Sequence, residues 1–236
     1  MKQQLSLFTL SIRASFYKIL TVLALSGVVQ AVLFHMALDE NTGLETAFAR
    51  AFFPVVFVVT FVVVVWLLVR WHSGRGSSVS YTLRRLGLPE RNFILWNALY
   101  CALVYLIFWA VQLGFALLFC KYYTMVTNPD FLNPQTVFLA FYRSDYLHSL
   151  LPLAETSRWA RNIAYVIGLG VCTSAAPCLE RRKVHPFLPS IPLVLFILFF
   201  ARPVGDLSFD LAQALAALGC GAYALAGCWK EVPDEI

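Results

Sequence analysis

Residues able to do chemistry are sparse in this 236-residue chain, and their spacing excludes most catalytic arrangements. The four histidines (His35, His72, His148 and His185) are scattered. The six cysteines (Cys101, Cys120, Cys172, Cys178, Cys220 and Cys228) fall in or at the ends of apolar stretches, with no C-x-x-C pair among them. A metal needs several thiolates or imidazoles to converge, so no metal site is expected and the cysteines read as small buried hydrophobes. Hydrolysis within a membrane would need paired carboxylates, a Ser–His or Ser–Lys pair, or a zinc motif. Neither H-E-x-x-H nor G-x-S-x-G is present. None of the twelve glycines leads into the Lys-Ser/Thr pair of a phosphate-cradling P-loop. An intramembrane enzyme is therefore the weakest reading, and no cofactor is expected in the chain itself.

What remains is a short set of polar residues. Tyr142, Arg143, Asp145 and His148 form the densest cluster, either an outer site or a structural tether. His35 lies about one turn before Asp39 and reads as an interfacial pair. Asn97 and Gln112 are polar groups inside an apolar run. Their separation of fifteen residues sets them about 60° apart around a helix, on one broad face that should look toward protein or a pathway.

The elements carrying these residues follow from composition. Of the chain, 60% is hydrophobic and 13% charged, with a mean hydropathy of +0.72. A soluble domain has about 25% charged residues. Disorder, collagen and a disulfide scaffold are excluded, and a polytopic all-α membrane protein is the expected fold class. A span needs about 20 mostly apolar residues, and six segments qualify: 19–38, 47–69, 93–120, 162–179, 186–201 and 209–229. The first is interrupted only by Gln30 and His35 and is expected to be retained rather than cleaved. The fifth is the shortest, with Pro189 and Pro192 arguing for an irregular start. On these boundaries the span interiors hold almost nothing ionisable, which argues against proton-coupled transport. Val-rich runs of this length must be helical in lipid, where each segment satisfies its own backbone groups.

Orientation follows from the basic residues. With the N-terminus cytoplasmic, Lys2, Arg13, Lys18, Arg70, Arg75, Arg84, Arg85, Arg91, Arg181, Arg182, Lys183 and Lys230 lie inside, and Arg50, Lys121, Arg143, Arg158, Arg161 and Arg202 outside. This two-to-one bias is the positive-inside pattern, with both termini cytoplasmic. Topology and lipid head groups account for the net charge of +5, without a nucleic-acid partner.

Residues 1–18 suit an amphipathic interfacial helix ahead of the 19–229 transmembrane domain, and 230–236 form a short cytoplasmic tail. The outer connection 121–161 contains Val137–Tyr142, too short to cross and followed by Arg143 and Asp145. A surface-lying or re-entrant helix is expected within 136–150. On the last span Ala212, Ala216, Cys220 and Ala224, with Ala217 and Gly221 beside them, allow close helix approach. They serve packing within the bundle or a dimer seam.

The inner loop 70–92 is the most informative stretch. Ser80 is a plausible N-cap, Tyr81 to Leu86 a two-turn helix, and Gly87 its C-terminal cap. Tyr81, Leu83 and Leu86 form an apolar edge, and Arg84 and Arg85 a charged one. Pro89 and Glu90 then suit the start of the next helix. A loop that only holds topology needs charges but not caps, so this one reads as a docking element, with the plain topology loop as the other reading.

With these features the chain resembles the type-2 permease family of bacterial ATP-binding-cassette exporters. SYTLRRLGLPERNFILWNALY and QTVFLAFYRSDYLHSLLPL resemble stretches of short, uncharacterised six-span permease-like proteins. The resemblance implies that Tyr81, Leu83, Arg84, Arg85 and Leu86 belong to a coupling helix docking into a separate ATPase subunit, which would bind ATP and Mg. It further implies a homodimer or a heterodimer with a related permease in the bacterial cytoplasmic membrane. One departure stands out. The link RPVGDLS between the last two spans is too short for the outer re-entrant helices usual there, and the long outer loop follows span three instead. The alternative function is a non-transport sensor or binding component that recruits a cytoplasmic partner through the same loop.

Overall fold

The computed structural model describes residues 2–38, 43–72, 90–127, 133, 135–153, 155–182, 190–201 and 207–229. Among them every regular element is an α-helix: α1 (Lys2–Ala37), α2 (Leu44–Arg50), α3 (Phe53–His72), α4 (Glu90–Val126), α5 (Thr136–Arg143), α6 (Asp145–Leu150), α7 (Thr156–Arg181), α8 (Ser190–Phe199) and α9 (Leu207–Trp229). Five of these, α1, α3, α4, α7 and α9, are long and apolar enough to cross a membrane. The chain is thus built as an all-helical, multi-pass membrane protein. α8, the fifth expected span, is a 10-residue apolar helix. At 1.5 Å per residue it extends about 15 Å.

Several boundaries move, each for a local reason. α1 has 36 residues and runs unbroken from Lys2, so the basic lead-in and the apolar run share one helix. The second expected span, 47–69, divides. α2 closes at Arg50, and Phe52 takes a left-handed backbone, φ 52°, between the two helices. That conformation is costly for a non-glycine residue. It turns the chain sharply enough for Phe48 of α2 and Phe53 of α3 to meet at 4.7 Å between ring centroids. Pro54 follows at the second position of α3, where a backbone N–H would have no helical partner anyway. The 136–150 stretch forms two short helices, α5 and α6, separated by extended Ser144. At 8 and 6 residues neither is long enough to cross.

Contacts between helices define their directions. Tyr100 of α4 bonds Ser15 of α1, while Gln112 bonds Gln30, so α1 and α4 run parallel. α3 opposes α4, with Phe53 against Phe119 and Phe61 against Tyr105. α7 also opposes α4: Trp159 stacks on Trp109, and Ser174 Oγ donates to the Ile94 carbonyl. α7 and α9 run parallel, from Arg161–Asp210 at one end to Arg182–Gly227 at the other.

α7 is the central helix. In its apolar window 72% of residues are buried, against 33–39% in the other four long helices. It packs on α9 through small residues. A Cβ added to Gly168 would lie 2.4 Å from the Ala217 carbonyl oxygen, and one on Gly170 3.0 Å from the Ala102 nitrogen of α4. Only glycine permits the first approach, and the second is tighter than most side-chain contacts.

Candidate functional site

The helix α7 opens with a concentration of charge that the apolar-run boundaries had assigned to an outer loop. Its first turn starts at Thr156, six residues before the expected span start at 162, and so takes in Arg158 and Arg161. Their three-residue spacing puts both on one helix face. Both are buried, Arg158 to 2% and Arg161 to 1% exposure. Read as outer-loop charges in the sequence, they lie instead in the first two turns of a long apolar helix, where burial of a charge is met by pairing.

Each arginine has an acid. Arg158 Nε lies 2.6 Å from Glu155 Oε2, and Arg161 Nη1 lies 3.1 Å from Asp210 Oδ1. Glu155 occupies the N-cap position of α7 and Asp210 the first turn of α9, where the positive helix ends favour carboxylates. Polar neighbours complete the set. Ser157 Oγ donates to Asp210 Oδ2 at 3.2 Å, and Arg158 Nη1 donates to Ser149 Oγ at 3.1 Å. Arg161 Nε and Nη2 both reach Asn162 Oδ1, at 3.3 and 3.1 Å, and Asn162 Nδ2 donates to the Ser149 carbonyl. With one acid per arginine, the formal charges of the four ions cancel. Burial is tolerable on that condition, because an ion left without its partner in a low-dielectric interior is strongly destabilising.

The network ties the α6 strap down. Besides the Ser149 contacts, His148 Nε2 sits 3.6 Å from Glu155 Oε2. The Leu150 and Pro152 carbonyls accept from Trp109 Nε1 and Trp159 Nε1, both at 2.7 Å. Burial pushes the Tyr146 phenol of the same strap above its ordinary pKa.

Next to the network lies an aromatic cleft. Phe57, Phe61, Phe108, Trp109, Tyr165 and Phe196 supply most of its wall, around a void of about 20 Å³, the room of a single water molecule. Asn162 belongs to both features, lining the cleft while its amide serves Arg161 and Ser149.

The residues singled out in the sequence are distributed as follows. Of Tyr142, Arg143, Asp145 and His148, only His148 enters the network, and the other three are exposed. Tyr142 keeps an edge contact to His148 at 6.0 Å between centroids. Gln112 is buried and its Oε1 accepts from Gln30 Nε2 at 2.9 Å. Asn97 is buried with no hydrogen-bond partner among the described residues. The two are some 22 Å apart along α4 and do not form one site. His35 is exposed, with Nδ1 3.2 Å from the Tyr122 hydroxyl, and Asp39 lies outside the described residues. On α9, Ala217, Gly221 and Ala224 are buried, Ala216 and Cys220 half-buried and Ala212 exposed. Five cysteines are buried and Cys220 is half-buried. Tyr81, Leu83, Arg84, Arg85 and Leu86 lie outside the described residues. Sequence reasoning missed Arg158, Arg161 and Asp210 as a unit. The usable signal was the pair of arginines one turn apart directly before an apolar run, with an acid at the start of another.

Compared with known proteins, the chain matches no family model, no curated protein and no solved structure.

Proposed function

We propose that this chain is the transmembrane permease subunit of an ATP-binding-cassette exporter in the bacterial cytoplasmic membrane. It would move a hydrophobic or amphipathic substrate as a homodimer or heterodimer, with ATP and Mg handled by a separate ATPase subunit. The observation that carries this reading is the parallel run of α7 and α9. Two consecutive long helices pointing the same way need a return path, and a sixth crossing through the apolar α8 would supply it. An even number of crossings leaves both chain ends on one side. Support for the cytoplasmic assignment of that side comes from Arg70 and Arg182 at the ends of α3 and α7, with Arg70 set over the Trp66 ring at 4.8 Å as an interfacial anchor. α3 ends and α4 begins on this same side, where an ATPase could meet the chain.

A test is co-purification with a candidate ATPase subunit, together with ATP turnover of the reconstituted complex. Burying one Leu side chain in a groove stabilises a contact by roughly 1.5–3 kcal/mol. Leu83→Asp or Leu86→Asp should therefore weaken the complex by at least about tenfold, leaving the membrane part folded. Arg84→Ala should do less, because a partly solvated charge contributes little. Unchanged binding and turnover would reduce the loop to a topology signal. Binding that depends on Leu83 without ATP-driven transport would favour the recruiting component instead. Labelling a cysteine placed at Ile236 from outside only would overturn the orientation.

A further inference from the structure

The α6 strap commits its polar groups with one exception. Ser149 Oγ and the Ser149, Leu150 and Pro152 carbonyls accept from Arg158, Asn162, Trp109 and Trp159. His148 is as deeply buried, at 1% exposure, yet neither ring nitrogen has a hydrogen-bond partner among the described residues. Buried polar groups are ordinarily paired, so a ring kept in this state has a use for its spare nitrogens.

The placement of the ring indicates that use. Nε2 stands 3.6 Å from Glu155 Oε2, within reach of an ion pair but too far for a hydrogen bond. Glu155 keeps 21% of its side chain exposed, so water reaches the carboxylate that the buried ring faces. The other charged and titratable groups around the ring are already placed. On α7, Arg158 Nε holds the same Glu155 oxygen, and Arg161 is matched by Asp210 of α9. Tyr142 of α5 meets the ring edge-on at 6.0 Å, and α4 presents the uncharged Trp109. Exposed Asp145 and buried Tyr146 share the ring's own helix. A neutral imidazole gains little from Glu155, whereas an imidazolium gains a counter-ion. Histidine is the side chain whose charge changes across the ordinary pH range, so the supply of protons at this end of the bundle selects between the two states.

We propose that His148 is a proton-binding site and that its occupied state latches the α6 strap onto α7 through Glu155. A hydronium ion from the adjoining water gives its proton to the bare ring nitrogen. One N–H bond forms, a water molecule is released and no other bond changes. The imidazolium then has about 0.7 Å to close before it makes a charge-assisted bond of about 2.9 Å with Oε2. Arg158 keeps Ser149 through Nη1 while it shares the carboxylate. The movement reaches past the ring, because Tyr146 of the same helix seats on Phe57 and Phe200 at 5.6 and 6.4 Å between centroids. The site needs no ATPase and no particular orientation in the membrane, so it stands or fails separately from the permease reading.

The test uses the full chain in lipid nanodiscs, carrying His35→Gln, His72→Gln and His185→Gln so that His148 is the one histidine left. Nitrogen-15 spectra of the labelled ring report its protonation directly. The doubly protonated fraction should rise at least about fivefold between about pH 8 and about pH 5. A ring neutral throughout, or charged throughout, would overturn the site. The latch is read separately, from the thermal unfolding midpoints of wild type and His148→Gln at the same two pH values. A bond that needs the ring's proton contributes in acid and is lost as pH rises. The margin of wild type over His148→Gln should therefore be larger in acid, while a merely structural ring would give the same margin at both. An equal or smaller margin in acid would overturn the latch. His148→Phe, which keeps a ring of similar size, takes the place of His148→Gln if that variant does not fold.

Discussion

Where α7 meets α9 the contact is made by Gly168, Ala217, Gly221 and Ala224, and ends in two paired arginines. Where α1, α3 and α4 meet, it is made by phenylalanines: Phe34, Phe53 and Phe119 at one level, Phe57, Phe61 and Phe108 at another. Both regions must hold helices together in a solvent as apolar as leucine, where burial of hydrocarbon supplies no drive for association. The small-residue seam does so by backbone proximity and charge, with interatomic limits that nothing nearby can relax. The aromatic region does so with large ring contacts whose side chains can rotate. The first should be brittle and the second forgiving.

The largest effect is expected at the charged end of the seam. Arg161→Met strands Asp210 and should cost about 3–5 kcal/mol. The double variant Arg161→Met/Asp210→Leu should recover most of that, since removing both charges leaves none unpaired. Denaturant unfolding in mixed micelles gives both numbers. A double variant no better than the single would mean that the pair contributes more than mutual neutralisation.

Gly168→Ala comes next. Its Cβ would stand 2.4 Å from the Ala217 oxygen and 2.7 Å from the Ala217 carbonyl carbon, both backbone atoms of a packed helix. A loss of about 3 kcal/mol is expected, at the upper end of overpacking costs. In the aromatic region Phe57→Leu removes ring contacts to Phe200 and Phe108 at 4.7 and 5.2 Å, yet keeps most of the volume. About 1 kcal/mol is expected from the same unfolding measurement. Gly27→Ala is the smallest. A Cβ there would fall 2.5 Å from Phe115 Cζ, as close as at Gly168, but the obstacle is the tip of a half-buried side chain that can swing aside. Less than about 1 kcal/mol should be lost. Equal costs for Gly168→Ala and Gly27→Ala would remove the distinction between the two regions.

The helical, membrane-spanning character of the chain was legible because it depends on run length and composition. Residues 19–38, 93–120 and 209–229 are apolar enough that helix is the only way to satisfy their backbone in lipid. The division at Phe52 was not legible, since the rings that flank the turn, Phe48 and Phe53, pack on Phe34 and Phe119 of other helices. The same holds for the ionic network. Arg158 and Arg161 resemble ordinary loop charges when read in order, because the acid that allows Arg161 to be buried lies 49 residues away. His148 was singled out for its neighbours Tyr142, Arg143 and Asp145, but its closest charged group is Glu155.

Local chemistry by itself therefore determined that this chain forms long apolar helices, because that depends only on the balance between lipid and water. Tertiary structure alone decided that α7 is central, that Arg158 and Arg161 are inside, and that aromatic rings from four helices enclose one cleft. Those outcomes depend on which faces meet. In a bilayer that choice is governed by close packing, as at Gly168, and by finding each buried charge a partner, as Asp210 does for Arg161.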